Sequence, residues 1–450
     1  MKKNIKKICI IVDHPSRELD YICLVSFKLL EQENYDIFIV EYYKKELVLL
    51  INPDLIIFPH ARENMVQLIK NCKTKNILIA ILETEGGFVG KLYTGINKYI
   101  KKALKLSDLY FVWGKKNYSN IKKISTKKNF FLTGTPKFDF FRDELKDYYK
   151  TKSKYVTFVS NFAVVNPKFT SHKQNVIEYQ KSEFVSDKKK IDLIFTCQKS
   201  ILNKFINLIQ KTVKKLSKEQ FILKIHPFEN DLLYKKKLKF KNLKFIQAEN
   251  IAETVSKTRV LIHYNCQTSF EFFLKKKYPI TYSFLLSRLE KKYGNYELME
   301  NSLKPSNFNE YIKSINKKYK FKDNDTFVNK YGYRNKKFLS SEMIAQKIIL
   351  KLSNHRKKQN LIPNYYLLIC ALRILLKDLV INFFPRLLIK KLKIMLNKKT
   401  FNDKKLNVIS VKKNLSKIKK IFKSKKYLLI SHPFFYSIIK NQAVIKISKQ

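Results

Sequence analysis

Short runs of uninterrupted apolar residues, each followed by a stretch with helical spacing, constrain this chain more than any other feature. In the first third they fall at 8–12, 37–40, 55–58, 77–82, 109–114 and 130–132, with helix-like segments such as 63–71 between them. A strand that is apolar on both faces belongs to a parallel sheet covered by helices on both sides. The pattern therefore predicts a doubly wound α/β domain over residues 1–145. A lysine-rich connection at 146–154 leads to a second set of runs at 155–160, 221–226, 243–247, 260–263 and 279–282. The run 191–195 reads either as a strand or as the start of a helix. Over 199–216, Ile201, Leu202, Phe205, Leu208 and Ile209 recur with a 3.6-residue period. A second doubly wound domain is expected over 146–345, with the two facing a cleft. Residues 346–450 form a basic, amphipathic and mostly helical extension.

The segment 260–282 is the most complete unit: strand, polar turn, helix and second strand. Its turn carries Asn265, Cys266, Gln267, Thr268 and Ser269, and Glu271 lies in the first turns of the helix. Such a unit aims N–H groups and hydroxyls at the crevice beyond the strand's carboxyl end, where phosphates bind. An ordinary, well-capped strand-to-helix turn has the same composition.

Composition narrows the partners. The formal charge of +56 calls for anionic ones. Only nine of the 92 basic residues are Arg, and Lys, Asn, Ile, Tyr and Phe abound together, as AT-rich codon usage would produce. Nucleotide-linked substrates and phospholipid headgroups are favoured, and nucleic acid is not expected. The six cysteines are scattered without a CxxC pair, so neither a disulfide framework nor a zinc site is indicated. Eight glycines occur, none between Gly134 and Gly294, which excludes a glycine-rich phosphate cradle from the second domain. The apolar run behind the basic start is too short for a signal peptide, and no stretch is long enough to span a bilayer. A cytoplasmic protein is expected. The run 365–384 is interrupted by Arg373, Lys377 and Asp378 and suits the plane of an anionic membrane, or packing as a helical appendage.

Four loops at the carboxyl ends of expected strands are the chemical candidates: 13–20, 83–87, 226–229 and 265–271. A sugar hydroxyl is a poor nucleophile, so a carboxylate must take its proton as the new bond forms. Glu85, beside Gly86, fits that role. A departing phosphate gathers negative charge that N–H groups, hydroxyls and an imidazole can stabilise, and His226, Thr268 and Ser269 fit there. No cluster has metal-ligand spacing and no GxSxG elbow occurs.

Together these residues resemble a family. Ser16-Arg17-Glu18-Leu19-Asp20, Glu85-Gly86, Trp113-Gly114, Thr133-Gly134-Thr135-Pro136-Lys137-Phe138-Asp139, Asn161-Phe162 with Asn166, His226-Pro227-x-Glu229 and Asn265-Cys266-x-Thr268-x-x-Glu271 resemble, in order, the bacterial surface carbohydrate biosynthesis proteins. The resemblance spans about residues 8–340. It implies a GT-B-like fold and similarity to sialyltransferases and capsule transferases that use CMP-activated sugars. It also implies an inverting reaction with no metal and no cofactor besides the nucleotide-sugar substrate. Carried over, the general base falls on Glu85, the donor-phosphate histidine on His226, and phosphate binding on Thr268 and Ser269. Asn265, Glu271, Glu229 and Asn161 are the further donor-binding candidates, and Arg17, Glu18 and Gly86 the acceptor-side ones. Glu83 and Glu85 are separated by Thr84 where the related motif has adjacent acids.

The resulting expectation is a glycosyltransferase of capsule- or lipopolysaccharide-type biosynthesis. Its partners are a nucleotide-sugar donor, a glycan or lipid-linked glycan acceptor and the inner face of the cytoplasmic membrane. Two alternatives stand beside it: a nucleotide-sugar epimerase of similar fold, and a non-catalytic protein that binds anionic surfaces or RNA.

Overall fold

The computed structural model describes residues 5–84, 96–181, 191–247, 249–264, 266–292, 299–355, 405–424, 428–431 and 444–449. Strands follow in chain order as β1 (Lys6–Val12), β2 (Tyr35–Glu41), β3 (Leu55–Phe58), β4 (Leu78–Leu82), β5 (Leu109–Val112), β6 (Phe130–Leu132), β7 (Tyr155–Val159), β8 (Phe221–Lys224), β9 (Leu243–Ile246), β10 (Thr258–His263), β11 (Ile280–Thr281), β12 (Leu428–Ser431) and β13 (Val444–Lys449). The run 191–195 is not a strand; it opens the 25-residue helix Ile191–Lys215. Ile201, Leu202, Phe205, Leu208 and Ile209 are all buried on that helix, as their spacing predicts.

The chain divides into two compact α/β units, the GT-B-like class expected, each with a Rossmann-like parallel sheet. Of the described residues, one unit takes those up to 84, 98–139 and 329 onward; the other takes 96–97 and 140–328. The chain passes to the second unit after residue 139 and returns to the first after residue 328.

In the first unit the strand order is β12-β13-β2-β1-β3-β4-β5-β6. Strands β1 to β6 are mutually parallel, and β1 lies between β2 and β3. Within the expected basic, mostly helical C-terminal extension, two strands join this sheet. β13 pairs antiparallel with β2, with Ile445 opposite Ile39, and β12 pairs antiparallel with β13. Val444, Ile445 and Ile447 are fully buried, and Lys446 reaches Asp36 at 2.8 Å. β13 thereby covers the β2 edge, whose unpaired N–H and C=O groups would otherwise template association. The helix Val408–Ile421 buries Val411, Leu415 and Ile418. Phe422, just after it, stacks on Phe27 of the helix Pro15–Gln32 at 5.6 Å. The expected membrane segment at 365–384 lies outside the described residues.

Two of the quoted motifs receive the returning chain. Tyr333 donates its N–H to the Trp113 carbonyl at 2.6 Å. A Cβ on Gly114 would stand 2.4 Å from the Lys330 carbonyl oxygen, and one on Gly134 2.2 Å from that of Tyr333. Gly134 also has a φ of +77°, which favours glycine. Asp139 then caps the helix Ser340–Ser353: its two carboxylate oxygens accept the N–H groups of Ser340 and Ser341, each at 2.9 Å.

The second unit has the order β11-β10-β7-β8-β9, all parallel. Its core packs the helix Ile191–Lys215 on the sheet, with Phe205 stacked on Tyr282 at 5.4 Å and on edge to Phe158 at 6.3 Å. Each sheet has a place where strand order reverses: beside β1 in the first unit and beside β7 in the second. At such a switch point the loops part and leave a crevice at the strands' carboxyl ends.

Candidate functional site

In the second unit the turn after β8 is built around His226. Glu229 donates its N–H to the His226 carbonyl at 3.0 Å, closing a four-residue turn. The Phe228 N–H points at the imidazole Nδ1 at 3.3 Å. With Nδ1 accepting, the neutral ring carries its proton on Nε2, so the far edge of the imidazole is a donor. Gln247 fixes the turn from β9: its amide N–H groups go to the carbonyls of His226 at 3.0 Å and Glu229 at 2.7 Å. Buried Lys224 donates to the carbonyls of Gln247 and Glu249, both at 2.8 Å.

The loop after β7 is laced to this turn. Ser160 Oγ accepts the His226 N–H at 3.2 Å, and Asn166 and Asn230 exchange hydrogen bonds at 2.9 Å. Glu229 is fully buried; its carboxylate accepts the Phe162 N–H at 2.7 Å and the Tyr234 hydroxyl. Burial raises its pKa to about 7, against the lowering effect of those hydrogen bonds. Glu229 and Asn166 thus hold the loops, while exposed Asn161 lies at the surface of the same sheet end.

The turn after β10 is less open than its composition suggests. Ser269 is 1% exposed, and its hydroxyl donates to the Cys266 carbonyl at 2.7 Å. Thr268 is 5% exposed and receives the Cys266 thiol at 3.2 Å. Glu271 is also buried, with the Gln267 amide at 3.4 Å. The helix Thr268–Leu274 has no side-chain cap. Its hydroxyls are turned inward, so the structure leaves His226 as the most outward of the predicted phosphate contacts in this unit. Asn265 lies outside the described residues.

In the first unit the loop after β1 gathers titratable groups. Asp13 and His14 are nearly buried, and the imidazole Nε2 lies 3.8 Å from Asp13 Oδ2. His60, two residues beyond β3, brings its own Nε2 to 3.9 Å from the same oxygen. Glu18 is buried and accepts the Asp13 N–H at 2.9 Å. Its pKa rises to about 8, chiefly by desolvation, with Arg17 lowering it and Asp13 raising it. Burial thus favours the protonated form of Glu18, and Arg17 is half-buried beside it. Glu83, at the end of β4, is buried and within 3.4 Å of the Tyr110 hydroxyl; its carbonyl accepts the Trp113 indole N–H at 2.8 Å. Glu85 and Gly86 lie outside the described residues. His60 was not among the sequence candidates, although its signal, a histidine just past an apolar run, is the one that marked His226.

No protein-family model matches the chain, and no curated protein matches it. Among solved structures, it is similar to the UDP-GlcNAc 2-epimerase of Methanocaldococcus jannaschii, with 14% identity, a TM-score of 0.45, and coverage of 76% of this chain and 99% of that one. A putative UDP-N-acetylglucosamine 2-epimerase of Listeria monocytogenes gives 11% identity and a TM-score of 0.48 over 80% of this chain and 100% of the other. The wall teichoic acid polymerase TagF gives 13% identity and a TM-score of 0.46 over 78% and 90%. Among the described residues, no group of three or more His, Cys, Asp or Glu side chains could hold a metal ion, and no helix is long and apolar enough to cross a membrane.

Proposed function

We propose that the protein is a glycosyltransferase of bacterial surface polysaccharide biosynthesis, moving a sugar from a nucleotide-activated donor, first among them CMP-linked sugars, to a glycan or lipid-linked acceptor. The observation that carries the reading is the His226 turn. It is a histidine at the carboxyl end of β8, next to the switch point at β7, with its N–H held by Ser160, its carbonyl by Gln247 and its Nδ1 facing the Phe228 N–H. A donor there stabilises a leaving phosphate without a metal. Inversion at the anomeric carbon and the role of Glu85 as base belong to the same proposal.

The test is transfer from a panel of CMP-, UDP- and CDP-linked donors, with Glu85→Gln and His226→Ala as controls. Transfer lost in His226→Ala supports the reading; full activity in both variants sinks it. Donor turnover with no acceptor present would point instead to an epimerase. Binding without nucleotide preference that falls steeply with salt would point to a non-catalytic anion-binding protein. We also propose peripheral association with an anionic membrane. Its support is the charge of +56 and the basic helix Val408–Ile421, whose Lys412, Lys413 and Lys420 are exposed.

A further inference from the structure

Among the described residues, the large apolar side chain most open to solvent is Ile409, 73% exposed in the first turn of the helix Val408–Ile421. Lys412, Lys413, Ser416 and Lys420 follow it at spacings of three, four, seven and eleven residues, so the five share one helix face, and all are exposed. The opposite face buries Val411, Leu415 and Ile418. The helix holds five lysines and no acidic residue. A single apolar side chain in solvent is ordinary, but one set into a face of lysines with no acid is the pattern of a helix that lies on an anionic lipid surface.

The helix is firmly seated on the first unit. The Asn407 side chain accepts the Ile409 N–H at 2.8 Å, and Asn414 donates to Asp20 of the helix Pro15–Gln32 at 2.7 Å. Phe422 stacks on Phe27 and has the Lys28 ammonium 3.6 Å from its ring centroid. Since Asn414 meets Asp20 and Phe422 meets Phe27, the two helices run side by side in the same direction, and Ile409 comes beside the start of Pro15–Gln32. The Leu406 N–H reaches the carboxylate of Glu41, the last residue of β2, at 3.4 Å. Ile409 therefore stands at the carboxyl end of the first sheet, the end that carries the loop 13–20. The rival contact is Leu350, 59% exposed near the end of the helix Ser340–Ser353. The Leu352 carbonyl there accepts the ammonium of Lys6, which opens β1, so Leu350 belongs to the other end of the sheet. Its helix carries two lysines and the acidic Glu342.

We infer that Ile409 is the apolar anchor of the first unit on an anionic bilayer. It enters the head-group boundary while Lys412, Lys413 and Lys420 meet the lipid phosphates, and the carboxyl end of the first sheet is thereby brought next to the lipid. An acceptor carried on a lipid would then emerge beside the loop 13–20. This rests on the membrane association proposed above and adds to it the residue that inserts and the end of the sheet that approaches.

The test uses the full chain with vesicles of phosphatidylcholine containing phosphatidylserine. At physiological ionic strength Ile409→Ser should bind about tenfold more weakly than the unmodified protein, with the same unfolding temperature. Ile409→Trp should bind as well as the unmodified protein, and its emission should move to the blue and be quenched by lipids brominated in the acyl chains. Leu350→Trp should show neither change, and the native Trp113, 1% exposed, gives both variants the same background. Equal binding by Ile409→Ser and the unmodified protein, or quenching in Leu350→Trp, overturns the inference and leaves membrane association standing. An unmodified protein that stays off these vesicles, whether or not it binds polyuridylate RNA, refutes the membrane reading and the anchor with it.

Discussion

The two switch points use the same fastening and differ in what it holds. In each, a buried glutamate with a raised pKa accepts a backbone N–H from the loop leaving the unit's first strand: Glu18 from Asp13, Glu229 from Phe162. In the second unit most of the remaining ties run to the backbone: Lys224, Gln247 and Asn166 all donate to carbonyls, with Lys168 holding the Gln247 side-chain oxygen at 3.0 Å. In the first unit the fastened loop carries a carboxylate between two imidazoles. The second unit's turn is fixed chiefly through the backbone, whereas the first unit's loop holds titratable side chains close to one another.

The largest effect expected is on the Glu18 fastening. Its folded pKa of about 8 lies above the unfolded value of 4.5, so the folded state holds the proton over that interval. Folding is therefore most favoured below pH 4.5 by this group, and the contribution is lost as pH rises towards 8. At 1.36 kcal/mol per pH unit, Glu18→Gln should match the unmodified protein near pH 4.5 and exceed it by up to about 5 kcal/mol at pH 8. Denaturant unfolding at both pH values reads this. Equal stabilities at pH 8 would mean an ionised Glu18, and a second anion beside Asp13 would break the comparison. Next comes His226→Ala, expected to reduce transfer about 10² to 10³-fold, near 3–4 kcal/mol, and to weaken nucleotide binding as well. Smaller again is Glu229→Gln. With a folded pKa of about 7, its contribution falls only between pH 4.5 and 7, so the variant should gain up to about 3 kcal/mol, with no further rise above pH 7.

Much of this was legible because burial on both faces writes itself locally. Leu55–Phe58 and Leu109–Val112 could be read as strands from their own residues. Ile191–Phe195 could not be decided, since five residues of IDLIF fit either period and only the 20 that follow make a helix. What was hidden depends on partners far along the chain. VIKISK at 444–449 becomes a strand because the edge of β2 is open to it, some 400 residues earlier. Trp113-Gly114 and Gly134 to Asp139 were visible as motifs, yet their work, receiving residues 330–341, is a long-range contact. The turn 265–269 had the right composition for a phosphate site. The direction of its hydroxyls, inward to Cys266, is a property of packing that composition does not carry.

The smallest effect concerns the outer surface of the first unit and separates its charge from its fold. Truncation at residue 355 would remove β12, β13 and the helix Val408–Ile421, exposing β2 and the face of Pro15–Gln32, so loss of membrane binding in such a protein would report unfolding as readily as lost charge. Replacing Lys412, Lys413 and Lys420 by Gln leaves the buried Val411, Leu415 and Ile418 in place. Each lysine near an anionic surface contributes about 1 kcal/mol, so the triple variant should bind phosphatidylserine vesicles roughly 100-fold more weakly at low salt, with nearly unchanged thermal stability. Equal binding by both proteins would remove this helix from the membrane proposal while leaving both switch points, and the contrast between them, untouched.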